Sequence, residues 1–117
     1  MARLDRIASK PKSMAQIQAD VARFVSDRDW EKFHAPRNLA IAITVEAAEL
    51  IDLFKWSADR SGVKKLMPGL RDELADVMIY CLWLCNQLGL DASELIATKL
   101  AKNIQKYPVE RYRGRWR

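Results

Sequence analysis

Four carboxylates, arranged in two pairs, are the residues of this chain whose type and spacing best suit chemistry. Glu46 pairs with Glu49 and Glu73 pairs with Asp76, each at a spacing of i, i+3. Because a helix turns by about 100° per residue, both carboxylates of a pair project from one helix face. The same two faces also carry residues expected in the core: Leu39, Ala42, Leu50 and Leu53 around the first pair, and Val77, Tyr80 and Trp83 around the second.

This placement favours a bound divalent cation over ordinary solvated acidic faces, which remain the alternative. Burying unpaired carboxylates costs several kcal/mol each, and Arg71 is the only basic residue close to these stretches. Oxygen ligands in an incomplete protein cage suit Mg²⁺ or Mn²⁺. The chain's single histidine, His34, lies outside both stretches, which argues against di-iron and zinc sites. Enzymes use such cations mainly on phosphates, and the chain contains no P-loop motif.

Four helical segments are predicted to position these groups. Ser13 with Gln16 and Asp91 with Glu94 fit the capping pattern of a helix start, and Pro36 suits a first helical turn. Apolar residues recur at helical spacing after these starts, and no alternating strand pattern occurs. We therefore predict helices over about 13–29, 36–56, 69–88 and 91–107, with a loop over 61–69. The predicted fold class is all-α, a four-helix bundle.

The third predicted helix contains an apolar run from Val77 to Cys85 that extends around its whole circumference. A four-helix monomer cannot cover such a helix on every side, so we expect a homo-oligomer, either a dimer or a dimer-of-dimers tetramer. The run is far shorter than the roughly 20 residues that cross a bilayer. Cys81 and Cys85 are expected to be reduced thiols, and the charged first twelve residues do not resemble a secretory signal. We therefore expect a cytoplasmic protein without a membrane span.

The net charge of +5 is concentrated at the two ends of the chain. Residues 1–12 and residues 110–117 each carry +3, which leaves −1 for residues 13–109. We therefore predict one domain over 13–109 between two basic tails, and the body's near-neutral charge argues against a nucleic-acid partner. A nucleic-acid-binding or assembly protein that uses its tails, and a catalytically silent helical interaction module, remain alternatives.

Further short motifs surround the four carboxylates. The carboxylate motif itself is Glu46-x-x-Glu49, a gap of 23 residues, and Glu73-x-x-Asp76. The surrounding motifs are Arg28-Asp-Trp30, Phe33-His34, Pro36-Arg-Asn38, Phe54-Lys-Trp56, Asp76-Val-x-Ile-Tyr80, Lys99-x-x-x-Asn103 and Tyr107-Pro108. Together they make residues 13–109 resemble the MazG-like all-α nucleoside triphosphate pyrophosphohydrolases, in the dCTP pyrophosphatase branch.

The resemblance implies a Mg²⁺-dependent enzyme that hydrolyses deoxynucleoside triphosphates between the α and β phosphates. The implied products are a monophosphate and pyrophosphate, the favoured substrate is dCTP or a modified dCTP, and the implied role is sanitation of the nucleotide pool. Glu46, Glu49, Glu73 and Asp76 would hold the metal ions, whose charge neutralises the triphosphate. Glu46 or Glu49 would orient or deprotonate the attacking water.

The resemblance and the residue types together also imply a set of substrate contacts. Aromatic rings would flank the base, Tyr80 would pack beside the sugar, and the last helix would contact the phosphates. The predicted substrate-binding residues are Trp30, His34, Asn38, Trp56, Tyr80, Lys99, Asn103 and Tyr107. Some relatives offer a histidine to the base where this chain has Val21, so the choice between dCTP, dUTP and other nucleotides stays open.

Overall fold

The computed structural model describes residues 12–55 and 62–115, and within these ranges it is helical with no strand. The helices are α1 (Met14–Asp27), α2 (Pro36–Asp52), α3 (Val63–Leu88), α4 (Ala92–Lys106) and α5 (Val109–Tyr112), with a 3₁₀ turn over Glu31–Phe33 between α1 and α2. The all-α prediction is confirmed for the described part of the chain. The short α5, which lies across the predicted start of the C-terminal tail, adds a fifth helix to the predicted four.

Two of the predicted helix starts, those at Ser13 and Asp91, are confirmed by their hydrogen bonds. The Ser13 hydroxyl accepts from the Gln16 N–H at 3.2 Å, and the Gln16 side chain accepts from the Ser13 N–H at 2.8 Å. The Asp91 carboxylate accepts from the Glu94 N–H at 2.9 Å. α3 ends at Gly89, whose φ of 68° lies in the left-handed region that glycine adopts without a Cβ clash. These caps fix where α1, α3 and α4 begin or end.

The predicted loop over 61–69 was wrong from residue 63 onward. α3 begins at Val63, and Pro68 lies inside it rather than before it. A proline in the second turn removes one backbone hydrogen bond, a local cost that tertiary contacts can offset. The Leu53 side chain lies beside Gly69 in this turn, so close that a Cβ added at Gly69 would lie 3.5 Å from it. Packing at the end of α2 therefore extends α3 backwards past its local stop signals.

α3 is the central helix of the fold. Both α2 and α1 pack against α3, while α4 packs against α1. The buried residues that join these helices are Val21, Val25, Leu39, Leu82, Trp83 and Ala92. Since α1 and α2 contact different sides of α3, side chains a few residues apart on α3 face different neighbours.

The apolar run of α3 is only partly covered within one chain. Leu82 and Trp83 are buried, whereas Met78, Ile79 and Cys81 are exposed. Among the described residues, no helix is both long and apolar enough to cross a bilayer. The uncovered part of α3 agrees with the expectation that a single chain does not bury this helix.

Candidate metal centre and adjoining aromatic cavity

Three of the four predicted carboxylates converge where α2 packs against α3. Glu46, Glu49 and Glu73 each present one carboxylate oxygen, and these three oxygens lie within 4.8 Å of one another. Glu46 and Glu73 are half-buried, and Glu49 is exposed. The group is therefore open to solvent on one side and closed by protein on the other.

The convergence follows from the helix face on which the α2 glutamates lie. Leu39 on this face is fully buried, and Ala42, Glu46, Leu50 and Leu53 follow at three- or four-residue steps as half-buried side chains. This is the face that packs on α3. The prediction that Glu46 shares its stripe with core residues is thus confirmed.

The carboxylate group is electrostatically unbalanced without a cation. Oε2 of Glu46 and Oε2 of Glu73 are both buried, and neither has a hydrogen-bond partner among the described residues. In the part of the chain that the structure describes, no lysine or arginine forms an ion pair with Glu46, Glu49 or Glu73. The pKa of Glu46 rises to about 7, first because its protonated carboxyl can hydrogen-bond to the nearby Glu73 carboxylate, then because of burial and the charge of Glu49.

These features fit a hard divalent cation. The unpartnered buried atoms are carboxylate oxygens, which are acceptors that a bound cation satisfies. The group contains no histidine or cysteine, so its donor set suits Mg²⁺ or Mn²⁺ rather than zinc. Glu46, Glu49 and Glu73 are thus the residues that would hold the ion.

The fourth predicted ligand, Asp76, is not part of this three-oxygen group. A step of three residues rotates a side chain by about 60° from that of Glu73 around the α3 axis. Glu73 therefore faces α2, whereas Asp76 is exposed and lines a cavity on the α1 side. Only part of the predicted four-carboxylate set comes together in the single chain.

The cavity beside Asp76 is walled mainly by apolar and aromatic side chains from α1 and α3. Its volume is about 560 Å³, within the usual range for a small-molecule site. The lining residues are Lys12, Ile17, Asp20, Val21, Phe24, Trp30, Asp76, Ile79, Tyr80 and Trp83. The predicted base contact Trp30 and the predicted sugar contact Tyr80 thus line one cavity, next to a predicted metal ligand.

The aromatic rings of this cavity form an ordered set around Trp83. The Trp83 ring is nearly parallel to those of Tyr80 and Trp30, with centroids 5.7 Å and 6.4 Å away. Its N–H is buried and finds no acceptor within residues 12–55 and 62–115, a state that costs about 1–3 kcal/mol. His34 packs on Trp83 at 4.4 Å between ring centroids, and its carbonyl accepts from the Gln87 side chain at 2.8 Å. His34 therefore supports the aromatic set from outside the cavity.

The other predicted substrate contacts that the structure describes neither line the cavity nor belong to the three-carboxylate group. Asn38 is exposed in the first turn of α2. Lys99 and Asn103 are on α4, and the Tyr107 ring that follows packs edge-on against Tyr112 at 5.1 Å. None of these four residues lines the described cavity, and α4 packs mainly on α1. Trp56 lies outside the described residues.

Sequence reasoning missed most of the α1 side of the cavity. Ile17, Val21 and Phe24 lie among the helically spaced apolar residues of α1, and this face supplies the cavity wall. Of the three, only Val21 was connected with the base, as the position where some relatives carry a histidine. Trp83 was expected in the core, and it is buried there, but it also lines the cavity. The polar pair Lys12 and Asp20 carried no motif. The signal that could have located this wall was the i, i+4, i+7 spacing of α1.

The raised pKa of Glu46 predicts a pH-dependent response to Mg²⁺. In the unfolded chain this carboxyl titrates near its ordinary value of 4.5, so the metal-free fold holds the proton more tightly. Its contribution to metal-free stability is therefore present below about pH 4.5 and is lost as the pH rises through about 7. Since a cation binds only the ionised form, we expect Mg²⁺ to raise the unfolding temperature more at pH 8 than at pH 6. Thermal unfolding with and without Mg²⁺ measures this, and equal shifts at both pH values would contradict it.

Comparison with known proteins places this arrangement in a family. Residues 41–115 match the MazG-like family. The chain is 36% identical to dCTP pyrophosphatase 1 of Mus musculus over 97% of its length, and 40% identical to that of Rattus norvegicus over 80%. It spans 69% and 58% of the lengths of these two relatives.

A solved structure supports the same assignment. The crystal structure of a pyrophosphatase from Archaeoglobus fulgidus superposes with a TM-score of 0.75 at 32% identity. The match covers 85% of this chain and 95% of that one. The chain therefore belongs to the MazG-like family, in the branch that contains the dCTP pyrophosphatases.

Proposed function

We propose that this chain is a Mg²⁺-dependent pyrophosphohydrolase of deoxynucleoside triphosphates, with dCTP or a modified dCTP as its favoured substrate. The observation that carries the proposal is the group of three carboxylates with unpartnered buried oxygens, close to an aromatic cavity that Asp76 also lines. The names of the relatives, dCTP pyrophosphatase and pyrophosphatase, support this reaction class. Removal of noncanonical or excess nucleotides from the pool is the role that fits such an activity.

The carboxylates would serve two purposes in the reaction. Glu46, Glu49 and Glu73 would hold the cation, and Asp76 would join them or bind a further ion once substrate is present. A bound Mg²⁺ would supply positive charge that neutralises the triphosphate and the leaving pyrophosphate. Glu49 is the exposed member of the group, so its free oxygen is the one best able to orient a water or accept its proton. Cleavage between the α and β phosphates would release a monophosphate and pyrophosphate.

The aromatic cavity is the proposed site of the base and sugar. Trp30 and Trp83 provide flat apolar surface for a base, and Tyr80, one turn after Asp76, would pack beside the deoxyribose. The adjacency of Asp76 supports this orientation, because the phosphates would then extend from the cavity toward the carboxylates.

We also propose a homo-oligomer, a dimer or a dimer of dimers, that completes the site. Ile96, Leu100 and Ile104 form an apolar stripe on α4 with 52%, 56% and 65% of each residue exposed. Burial of such a stripe against a second copy would remove a contiguous apolar surface from water. Lys99 and Asn103 lie on the same helix as this stripe. Association through α4 would therefore place these polar side chains at the interface, where they could reach a substrate bound to the partner.

The oligomer proposal predicts a mass above 13.5 kDa in solution. Light scattering on the purified chain at micromolar concentration should give a dimer or tetramer. Leu100→Glu should shift the distribution toward monomer, because it places a charge within the apolar stripe. Thr98→Glu, on the same helix, is a matched control. A wild-type chain that is strictly monomeric at that concentration would contradict the proposal.

The reaction itself is tested by product analysis. The chain is incubated with each NTP and dNTP in the presence of Mg²⁺, and the products are separated by ion-exchange chromatography. We expect a monophosphate and pyrophosphate, with dCTP among the best substrates. A diphosphate and phosphate would refute the cleavage position. No turnover together with tight, salt-sensitive DNA binding would instead support a nucleic-acid-binding role for the basic tails.

A further inference from the structure

We infer that the Asp20 carboxylate, positioned by Lys12, recognises the nucleobase in the aromatic cavity and selects bases that carry an exocyclic amino group. Among pyrimidines this means cytosine rather than uracil or thymine. The inference rests on the proposed function, since it assigns base recognition to a nucleotide site, and it adds a residue outside every motif considered above.

The Lys12–Asp20 ion pair lies on the wall of the aromatic cavity. Both residues line the cavity together with Trp30 and Tyr80. Lys12 Nζ lies 2.6 Å from Oδ2 of Asp20, and only 22% and 23% of the two side chains are exposed. The other ion pairs found among the described residues, Lys32–Asp29 and Lys55–Asp52, have side chains that are 54–70% exposed. The Lys12–Asp20 pair is thus more buried than these two surface ion pairs.

The Asp20 carboxylate has one oxygen available to accept a hydrogen bond from a ligand. Lys12 donates to Oδ2, and within the described ranges no hydrogen bond is made to Oδ1. At neutral pH an aspartate carboxylate accepts hydrogen bonds and donates none. Cytosine offers an N4 amino donor, whereas uracil and thymine offer a carbonyl acceptor at the same ring position. A carboxylate oxygen that faces position 4 of the base therefore attracts the amino group of cytosine and repels the carbonyl of uracil or thymine.

Asp20 is held more rigidly than Lys12. Asp20 lies in the middle of α1 next to the buried Val21, so its backbone is held by the helix and the core. Lys12 precedes the Ser13 N-cap and reaches the cavity through a flexible four-carbon side chain. Its ammonium is already bonded to Asp20, which makes it a positioning residue for that carboxylate.

The test is the substitution Asp20→Asn, assayed with dCTP and dUTP under Mg²⁺. These substrates differ at position 4 of the base, an amino group in dCTP and a carbonyl in dUTP, and in the proton that uracil carries on N3. We expect the wild-type chain to prefer dCTP. Asp20→Asn should lower kcat/KM for dCTP by roughly ten- to a hundredfold. The ratio of kcat/KM for dCTP to that for dUTP should fall by a similar factor, because an amide both donates and accepts hydrogen bonds and so discriminates less between an amino group and a carbonyl. Asp52→Asn, which removes an exposed Lys–Asp pair away from the cavity, should leave the ratio unchanged.

The outcomes separate this inference from the proposed function. Absence of turnover with every dNTP would contradict the proposed function, while calorimetric binding of dCMP and dUMP would still test Asp20. Turnover with an unchanged dCTP to dUTP ratio in Asp20→Asn would overturn the inference. A dUTP preference that is lost in Lys12→Met would also overturn it, because recognition would then belong to the lysine. Circular dichroism and the unfolding temperature of Asp20→Asn check that the variant is folded.

Discussion

Glu73→Gln and Glu49→Gln should each lower kcat/KM for dCTP by roughly a thousandfold or more while leaving the helical fold intact. Each substitution keeps the size of the side chain but replaces an anionic cation ligand with a neutral amide. Electrostatic stabilisation by a bound metal is worth several kcal/mol in a transition state, and about 4 kcal/mol corresponds to a thousandfold in rate. Steady-state pyrophosphate release measures the loss.

The fold of these variants is expected to survive because the substitution removes repulsion among the three converging carboxylates. Without metal, the unfolding temperature of Glu73→Gln should equal or exceed that of the wild type. Glu110→Gln, an exposed glutamate on α5 away from the group, is the matched control and should retain full activity. Near-normal turnover in Glu49→Gln or Glu73→Gln would contradict the assignment of the metal centre.

Removal of divalent cations should abolish turnover completely. Chelation with EDTA leaves Oε2 of Glu46 and Oε2 of Glu73 buried without partners and leaves the triphosphate un-neutralised. Activity should return on adding excess Mg²⁺, and Mn²⁺ should substitute because the donors are all carboxylate oxygens. Pyrophosphate release across a Mg²⁺ titration of the EDTA-treated chain provides the measurement.

A second readout distinguishes a protein-bound ion from one that arrives only with the nucleotide. Because an ion that binds the folded chain alone stabilises it, Mg²⁺ without nucleotide should raise the unfolding temperature of the wild type. Glu73→Gln should show little or no such rise, whereas Glu110→Gln should behave as the wild type. Full turnover in EDTA would refute the metal requirement itself.

Much of the architecture was predictable because its signals are local. The capping box at Ser13, the cap at Asp91 and the glycine at position 89 each satisfy backbone groups of their own helix end, so short sequence windows specify them. The stripe that joins Leu39 to Glu46 was likewise predictable from helical periodicity. The start of α3 was not, because helix across Pro68 depends on packing against residues distant in sequence, and Leu53, just after the end of α2, lies beside Gly69.

In the candidate site, too, some features were predictable from local sequence and others depended on tertiary packing. Glu46, Glu49 and Glu73 were identified from sequence because four anions on core-facing stripes require a compensating cation. The separation of Asp76 from them was not predictable, since it depends on which neighbour lies on each side of α3. A rotation of about 60° between residues three apart is small on an isolated helix. It becomes decisive when α2 packs on one side and α1 on the other.

The sequence by itself determined the helical class, the family resemblance and the chemistry of the carboxylates, because these follow from residue types and from spacing within single helices. Only the tertiary structure decided that α1 and α3 enclose an aromatic cavity beside Asp76, and that Lys12 and Asp20 lie on its wall. The pair Asp20 and Trp83 is separated by more than sixty residues along the chain. No local pattern links them, because their proximity is set by the packing of the core through Val21, Leu82 and Trp83.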